Sequence, residues 1–144
     1  MDKDEFVSGV DSSKKKIIEK VKTLAESEWP DAESVAMRGM MEVPEYRIDY
    51  LIVFVYCPDQ SGKSVRLSLD KIKPEFVELA TLLHSYESST DPLYRGLFMG
   101  FDFGCHLATS SGYLNFRFED FDEWKVNAEN AQRVREELRP SPGD

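Results

Sequence analysis

The stretch from Arg47 to Tyr56 constrains the fold more than any other part of the chain. Its β-branched and aromatic residues favour a strand. Beyond Tyr50 it is apolar at every position, and not only at alternate positions. A strand that is apolar on both sides is typical of a sheet that is covered, at least in part, on both faces. The stretch therefore predicts a central strand, and it is too short to cross a bilayer.

Four further segments have strand-like patterns. The cleanest alternates apolar and polar residues from Ser64 to Asp70, as expected for a strand with one buried face. Gly39 interrupts another, and turn-forming residues at 58–62 and 109–112 separate neighbouring strands. The predicted strands are Val35–Val43, Arg47–Tyr56, Ser64–Asp70, Leu97–Ala108 and Tyr113–Phe118.

Three segments have the apolar spacing of amphipathic helices. Ser12 or Ser13 can cap the first helix. Pro74 suits the first turn of the second, where its missing N–H costs little, and Asp120 or Asp122 can cap the third. The predicted helices run from Ser12 or Ser13 to Trp29, from Pro74 to about Ser85, and from about Asp122 to Leu138.

The order of elements is α-β-β-β-α-β-β-α, with short connections between the strands. Such an order predicts an α+β fold, with two layers in which an antiparallel sheet of about five strands packs against helices. The chain has 144 residues, about the size of one domain. We expect a flexible arm over residues 1–11, a single domain over 12–139 and a tail over 140–144.

The charge of the chain limits its partners. The formal net charge is −9 and the sequence pI is about 4.8. Phosphate backbones and anionic membranes repel such a chain, so we expect it to bind neither nucleic acid nor membranes. The acidity serves solubility, or it attracts a basic partner. The N-terminus lacks the basic-then-apolar layout of a signal peptide, so we expect a cytoplasmic protein.

The residues that catalysis needs are scarce. Cys57 and Cys105 lie in or beside apolar runs, and His84 and His106 have no evident catalytic partner. The Gly-Lys-Ser sequence at Gly62 precedes a predicted strand and lacks the upstream glycine of a phosphate-binding loop. No metal-binding motif is present. The sequence therefore predicts a binding protein that is not an enzyme and has no cofactor or metal.

The segment from Glu119 to Glu123 is the densest polar cluster, with four carboxylates in five residues. One interpretation is helix capping and solubility. The other is an acidic platform for Arg and Lys of a partner, with Phe121 as an aromatic contact. We include in the predicted surface two residues from the outward side of the predicted Leu97–Ala108 strand. The predicted partner-binding residues are Glu119, Asp120, Phe121, Asp122, Glu123, Asp102 and His106.

The layout resembles the YezG-like family of bacterial antitoxin or immunity proteins. The shared features are an N-terminal amphipathic helix ending at Trp29, a strand–turn–strand unit around 59–62, and a helix with Phe76 and Leu79. The segment 112–120 is similar to the closing strand of that family, which ends in acidic residues. The resemblance implies a non-enzymatic protein that neutralises a cognate toxin, often a nuclease, by occluding its active site. We expect the protein to be a monomer or a weak dimer.

The order of elements, the small size and the acidic pI are also similar to class I type III secretion chaperones. That resemblance implies a homodimer that holds an extended effector segment on hydrophobic patches. Val35–Val43 or the exposed faces of Phe98–Phe103 would have to provide those patches. The two resemblances thus leave a toxin inhibitor and a peptide-holding chaperone as alternatives.

Overall fold

A five-stranded antiparallel sheet forms the centre of the computed structural model, which describes residues 2–42, 45–58, 62–67, 69–91 and 98–144. The strand order is β3-β2-β1-β4-β5. The strands are β1 (Ser34–Glu42), β2 (Arg47–Tyr56), β3 (Lys63–Val65), β4 (Phe98–His106) and β5 (Ser111–Arg117). The helices are α1 (Lys3–Glu28), α2 (Lys73–Thr90), α3 (Phe121–Trp124) and α4 (Ala131–Leu138). The predicted α+β class and element order are confirmed.

Helices lie on both faces of the sheet. On one face, α1 and α2 pack against the sheet around the stacked rings of Phe76 and Phe101, whose centroids are 4.3 Å apart. On the other face, Val134 and Leu138 of α4 pack against a smaller cluster that includes Phe54. Since α4 is short, it covers only part of this second face.

The apolar β2 lies inside the sheet, as its sequence predicts, with Val53 and Val55 on the α1–α2 side and Phe54 and Tyr56 on the α4 side. The middle position belongs to β1, which is buried from Ser34 to Met41. The bounds of β1, β4 and β5 agree with the prediction to within about two residues. Val43, Leu97 and the centre of the predicted 58–62 turn lie outside the described residues.

The predicted flexible arm is wrong, because α1 begins at Lys3 and not at Ser12 or Ser13. Asp2 caps the helix, and its carboxylate accepts a hydrogen bond of 2.8 Å from the Glu5 amide. Phe6 stacks on Tyr86 of α2 at 4.1 Å between ring centroids. The cap and this aromatic contact extend the helix through a stretch whose own apolar pattern is weak.

The helix α2 also runs further than predicted, to Thr90. Hydroxyl groups of Ser88, Ser89 and Thr90 donate hydrogen bonds to main-chain carbonyls three or four residues earlier. The sequence predicts that the helix ends at these polar residues, but their side-chain hydrogen bonds to the main chain allow them to form its last turn. The apolar stripe of the helix is as predicted, with buried Phe76, Leu79, Ala80 and Leu83.

The third strand is much shorter than the predicted Ser64–Asp70. It pairs with β2 only from Lys63 to Val65, and a single 3-10 turn follows at Leu69–Lys71. The chain leaves the sheet edge there to bury Ile72 and to begin α2. Ser68 lies outside the described residues.

The predicted single C-terminal helix is two helices, α3 and α4, separated by residues 125–130. The side chain of Asn127 accepts hydrogen bonds from the amides of Glu129 and Asn130. The Asn130 side chain in turn accepts one from the Asn127 amide. These local bonds compete with helical hydrogen bonds and so interrupt the helix. The predicted tail contacts the sheet where Ser111 donates to the Pro142 carbonyl.

None of the helices in the described ranges is long and apolar enough to cross a membrane.

We expect Phe76→Ala to lower the free energy of unfolding by about 3–5 kcal/mol, because it removes a fully buried ring. Phe118 is 45% exposed, and Phe118→Ala should cost less than about 1 kcal/mol. Urea denaturation of the two variants measures both values. Equal losses would contradict this placement of the core.

Candidate functional site

One end of the sheet combines carboxylates with exposed aromatic rings, and we call it the acidic edge. At this end β1 and β5 finish and β2 and β4 begin, so that Glu42 is paired with both Arg47 and Phe98. The chain reaches α3 directly after β5. The acidic edge comprises Glu42, Glu45, Asp49, Phe98, Phe118, Glu119, Asp120, Phe121, Asp122 and Glu123.

Two aromatic side chains of the acidic edge are turned to solvent. Phe98 is 37% exposed and Phe118 is 45% exposed. Among the described residues, Val7 is the one other large apolar side chain classed as exposed. The ring of Phe98 packs edge-on against half-buried Phe121 at 6.3 Å, and Phe121 contacts Trp124 at 5.9 Å. The exposed ring of Phe98 therefore rests on a packed aromatic row.

The predicted acidic segment is exposed beside these rings, except for half-buried Phe121. Arg117 donates hydrogen bonds to the main-chain carbonyls of Glu119 and Asp120, at 3.3 and 3.2 Å. Asp120 takes a left-handed backbone conformation with φ of 57° and its side chain does not cap α3. The capping role predicted for Asp120 is therefore wrong, and its carboxylate remains exposed.

A second group of carboxylates, on the β1–β2 hairpin, was not predicted. Glu42 and Asp49 each lie 2.6 Å from the guanidinium of Arg47, and Glu45 lies 3.4 Å from it. The hydrogen bond to Asp49, followed by the nearby negative charges, raises the pKa of Arg47. Three carboxylates around one guanidinium leave this group net negative. The many charged residues in 42–49 could have indicated this group from the sequence. The pairing of β1 with β4, which brings the group to the same end of the sheet as 119–123, could not be predicted from them.

Asp102, predicted to contact a partner, is paired within the protein. It faces Arg38 across the β1–β4 pair and binds it through two hydrogen bonds, of 2.7 and 3.0 Å. The third donor, Nη1 of Arg38, binds the Trp124 carbonyl at 2.8 Å, and the guanidinium lies 4.8 Å from the centre of the Trp124 ring. The side chains of Arg38 and Asp102 are only 8% and 17% exposed.

His106 is buried and does not lie on the outward surface expected for it. Its Nε2 lies 3.3 Å from the Glu33 carboxylate, and its Nδ1 lies 3.3 Å from the Thr109 hydroxyl. It is at the opposite end of β4 from Phe98. Of the seven predicted residues, 119–123 thus lie together on the surface, whereas His106 is buried at the other end of β4 and Asp102 is paired with Arg38 inside the sheet.

The described residues include no group of three or more His, Cys, Asp or Glu side chains that could hold a metal ion. Both cysteines are free, and burial raises the pKa of the Cys105 thiol to about 12. A groove between α1 and α2 is lined by lysines and carboxylates, among which Lys16 and Glu78 form an ion pair at 2.8 Å.

The hydrophobic patches that a peptide-holding chaperone would need are not exposed where the sequence placed them. In β1 the apolar side chains are buried, and in β4 Phe101 and Phe103 are fully buried. Of that segment, Phe98 alone is exposed.

No protein-family model matches this chain, and no curated protein is similar to it in sequence. Its function therefore has to be inferred from the geometry of its surfaces.

We expect iodoacetamide at pH 8 to label Cys105 about a thousandfold more slowly than an ordinary thiol. The pKa rises from 9.0 to about 12, so the thiolate fraction falls accordingly. The Cys57→Ser variant reports on Cys105, and Cys105→Ala reports on half-buried Cys57 as its control. Fast labelling of folded Cys57→Ser would mean that the thiol is reactive.

We expect Arg38→Met to lower the free energy of unfolding by about 3–5 kcal/mol, because Asp102 would be left as a mostly buried charge without its partner. Replacing both residues, in Arg38→Met/Asp102→Leu, should cost less than the single change. Arg47→Met is the matched control, since Arg47 is exposed. Denaturant unfolding of the four proteins measures the difference, and a larger loss in the double variant would contradict it.

Proposed function

We propose that this protein is a non-enzymatic immunity or antitoxin protein, which binds a cognate toxin through the acidic edge and occludes the toxin's active site. The observation that carries the proposal is the exposure of Phe98 and Phe118 among carboxylates at one end of the sheet. Interfaces commonly have aromatic contacts at their centre and polar residues at their rim. The acidic edge has this composition.

The charge of the edge favours a basic partner. A nuclease that binds phosphates has a cationic cleft, and carboxylates 119–123 and 42–49 are complementary to it. Attraction between opposite charges speeds association at low salt and excludes acidic partners. The net charge of −9 has the same sign as the edge and adds to the long-range attraction.

Several side chains that could take part in catalysis are paired or buried within the fold, which supports a binding role. Arg38 and Asp102 bind each other, His106 faces Glu33, and Cys105 is buried with a raised pKa. The resemblance to YezG-like immunity proteins agrees with this interpretation.

The proposal is tested first by isolating the partner. The 144-residue chain should capture, from the cells that encode it, a basic toxin that it inhibits at a 1:1 ratio. Sedimentation should find the free protein as a monomer or weak dimer. Turnover by the protein itself, or a captured partner that is acidic and unaffected, would contradict the proposal.

Two sets of variants then locate the interface. Asp120→Lys/Glu123→Lys should slow association with the toxin at least tenfold at low salt, with a smaller effect at high salt. Phe98→Ala should act mainly by speeding dissociation. The matched control is Asp11→Lys/Glu26→Lys, which makes the same charge change on exposed positions of α1. Equal effects of both charge reversals would exclude the acidic edge as the interface.

A further inference from the structure

The second face of the sheet binds the main chain of the protein's own C-terminal segment. We call residues 121–142 the strap. Tyr50 accepts a hydrogen bond of 2.7 Å from the Val126 amide. Tyr56 donates one of 2.6 Å to the Arg135 carbonyl. These contacts involve main-chain atoms of the strap, so they do not depend on its side chains.

Two further sheet residues extend the pattern. Tyr113 donates a hydrogen bond to the Leu138 carbonyl, and Arg38 donates one to the Trp124 carbonyl. These carbonyls lie at the C-terminal ends of α4 and α3, where a helix leaves its own carbonyls without internal partners. The sheet therefore recognises the C-terminal ends of short helices.

The aromatic rings of the same face contact cations of the strap. We define the aromatic face as Tyr50, Phe54, Tyr56 and Tyr113. Lys125 lies 5.8 Å from the ring centre of Tyr50, Arg135 lies 5.6 Å from that of Phe54, and Arg139 lies 5.4 Å from that of Tyr56. Distances of this size allow cation–π attraction. Three of the four cations of the strap are used in this way.

The fourth cation, Arg133, differs. It is exposed and pairs with Glu137 on the next turn of α4, at 3.0 Å. The aromatic face thus contacts a particular set of cations and not every positive charge on the strap. This contrast supplies an internal control for the chemistry of the face.

We propose that the aromatic face is a binding site for a short helical segment that bears Lys or Arg, and that the strap is its built-in occupant. A segment of the same chemistry from a partner protein takes the place of the strap. The aromatic face shares no residue with the acidic edge, whereas residues 121–123 of the strap belong to that edge. The proposal adds a second binding surface and so goes beyond the proposed function.

The strap is suited to exchange because its two helices are short and are separated by residues 125–130. Its buried residues are Trp124, Val134, Leu138 and Pro140. The helix α4 has 8 residues, fewer than an isolated helix needs to be stable in water. Its folded form therefore depends on the sheet. Release of the strap would expose a preformed set of rings and hydroxyl groups.

The experiment uses the full-length protein and a fluorescent synthetic peptide with the sequence of residues 121–144. In the wild-type protein the tethered strap competes at an effective concentration of roughly millimolar, so the peptide should bind weakly. Val134→Ala/Leu138→Ala loosens the strap, and anisotropy should show at least tenfold tighter peptide binding. Absence of saturable binding to this variant, folded by circular dichroism, would overturn the proposal.

A second variant covers the case in which that change unfolds the chain. Arg135→Gln/Arg139→Gln removes two ring contacts from the tethered strap and no buried apolar side chain. It should also bind the wild-type peptide several-fold more tightly than the unaltered protein does. Binding no tighter than that of the unaltered protein would count against the site.

Altered peptides test the chemistry. A peptide with Arg135→Gln, which removes one ring contact, should bind several-fold more weakly to the loosened protein. A peptide with Arg133→Gln should bind as the original does. Equal loss with both peptides would show general charge attraction and overturn the assignment.

The same assay separates this site from the acidic edge. In the loosened protein, Tyr56→Phe should weaken peptide binding, whereas Glu119→Lys/Asp120→Lys, on exposed positions of the acidic edge outside the strap, should leave it unchanged. Loss of peptide binding only with the lysine changes would mean that the peptide binds the acidic edge and would overturn the proposal.

Discussion

Arg38 lies in the central strand of the sheet, where a charged side chain is costly unless it is paired and hydrogen-bonded. Asp102 satisfies two of its donors from the neighbouring strand, and the Trp124 carbonyl satisfies a third. Any other register of β1 on β4 would leave both charges unpaired. The same guanidinium that fixes this register also holds the end of α3, which carries Asp122 and Glu123. The position of the acidic edge thus depends on a buried ion pair.

The aromatic row beside that pair needs room that only a small residue leaves. A Cβ atom at Gly100 would lie 2.8 Å from the ring of Phe121 and 3.2 Å from that of Trp124. Glycine at this point of β4 lets both rings lie close to the sheet. Phe98, two residues earlier, then packs against Phe121 from the rim. The ring of Phe98 is exposed because Phe121 and Trp124 already fill the buried side of the aromatic row.

Much of the fold follows from local patterns. The apolar run of β2 predicted a strand covered on both faces, and the stripe of α2 predicted its buried residues correctly. The central role of β1 was harder to predict, because Gly39 and three methionines give it little β character. Its burial comes from neighbours on both sides, which the local sequence does not contain.

The part of the candidate site that is contiguous in the sequence could be predicted, and the part that is assembled by strand pairing could not. The segment 119–123 is exposed as its composition suggested, but the hairpin carboxylates join it only through the pairing of β1 with β4. Asp102 and His106 were misplaced for a related reason. Alternation along β4 assigns both to one face, and it cannot show that the C-terminal segment covers that face.

The two surfaces differ in how they attract positive charge. At the acidic edge, exposed carboxylates act over a distance and are screened by salt. On the aromatic face, rings contact cations directly, and hydroxyl groups bind carbonyls that a short helix leaves unpaired. The first kind of surface speeds encounter with basic proteins in general, whereas the second selects a particular backbone shape.

The helix α3 connects the acidic edge with the aromatic face. Its first turn carries two carboxylates of the acidic edge, and its last carbonyl accepts a hydrogen bond from Arg38 of the sheet. A movement of α3 that frees the strap would therefore also displace Asp122 and Glu123. The two surfaces are thus mechanically coupled through α3.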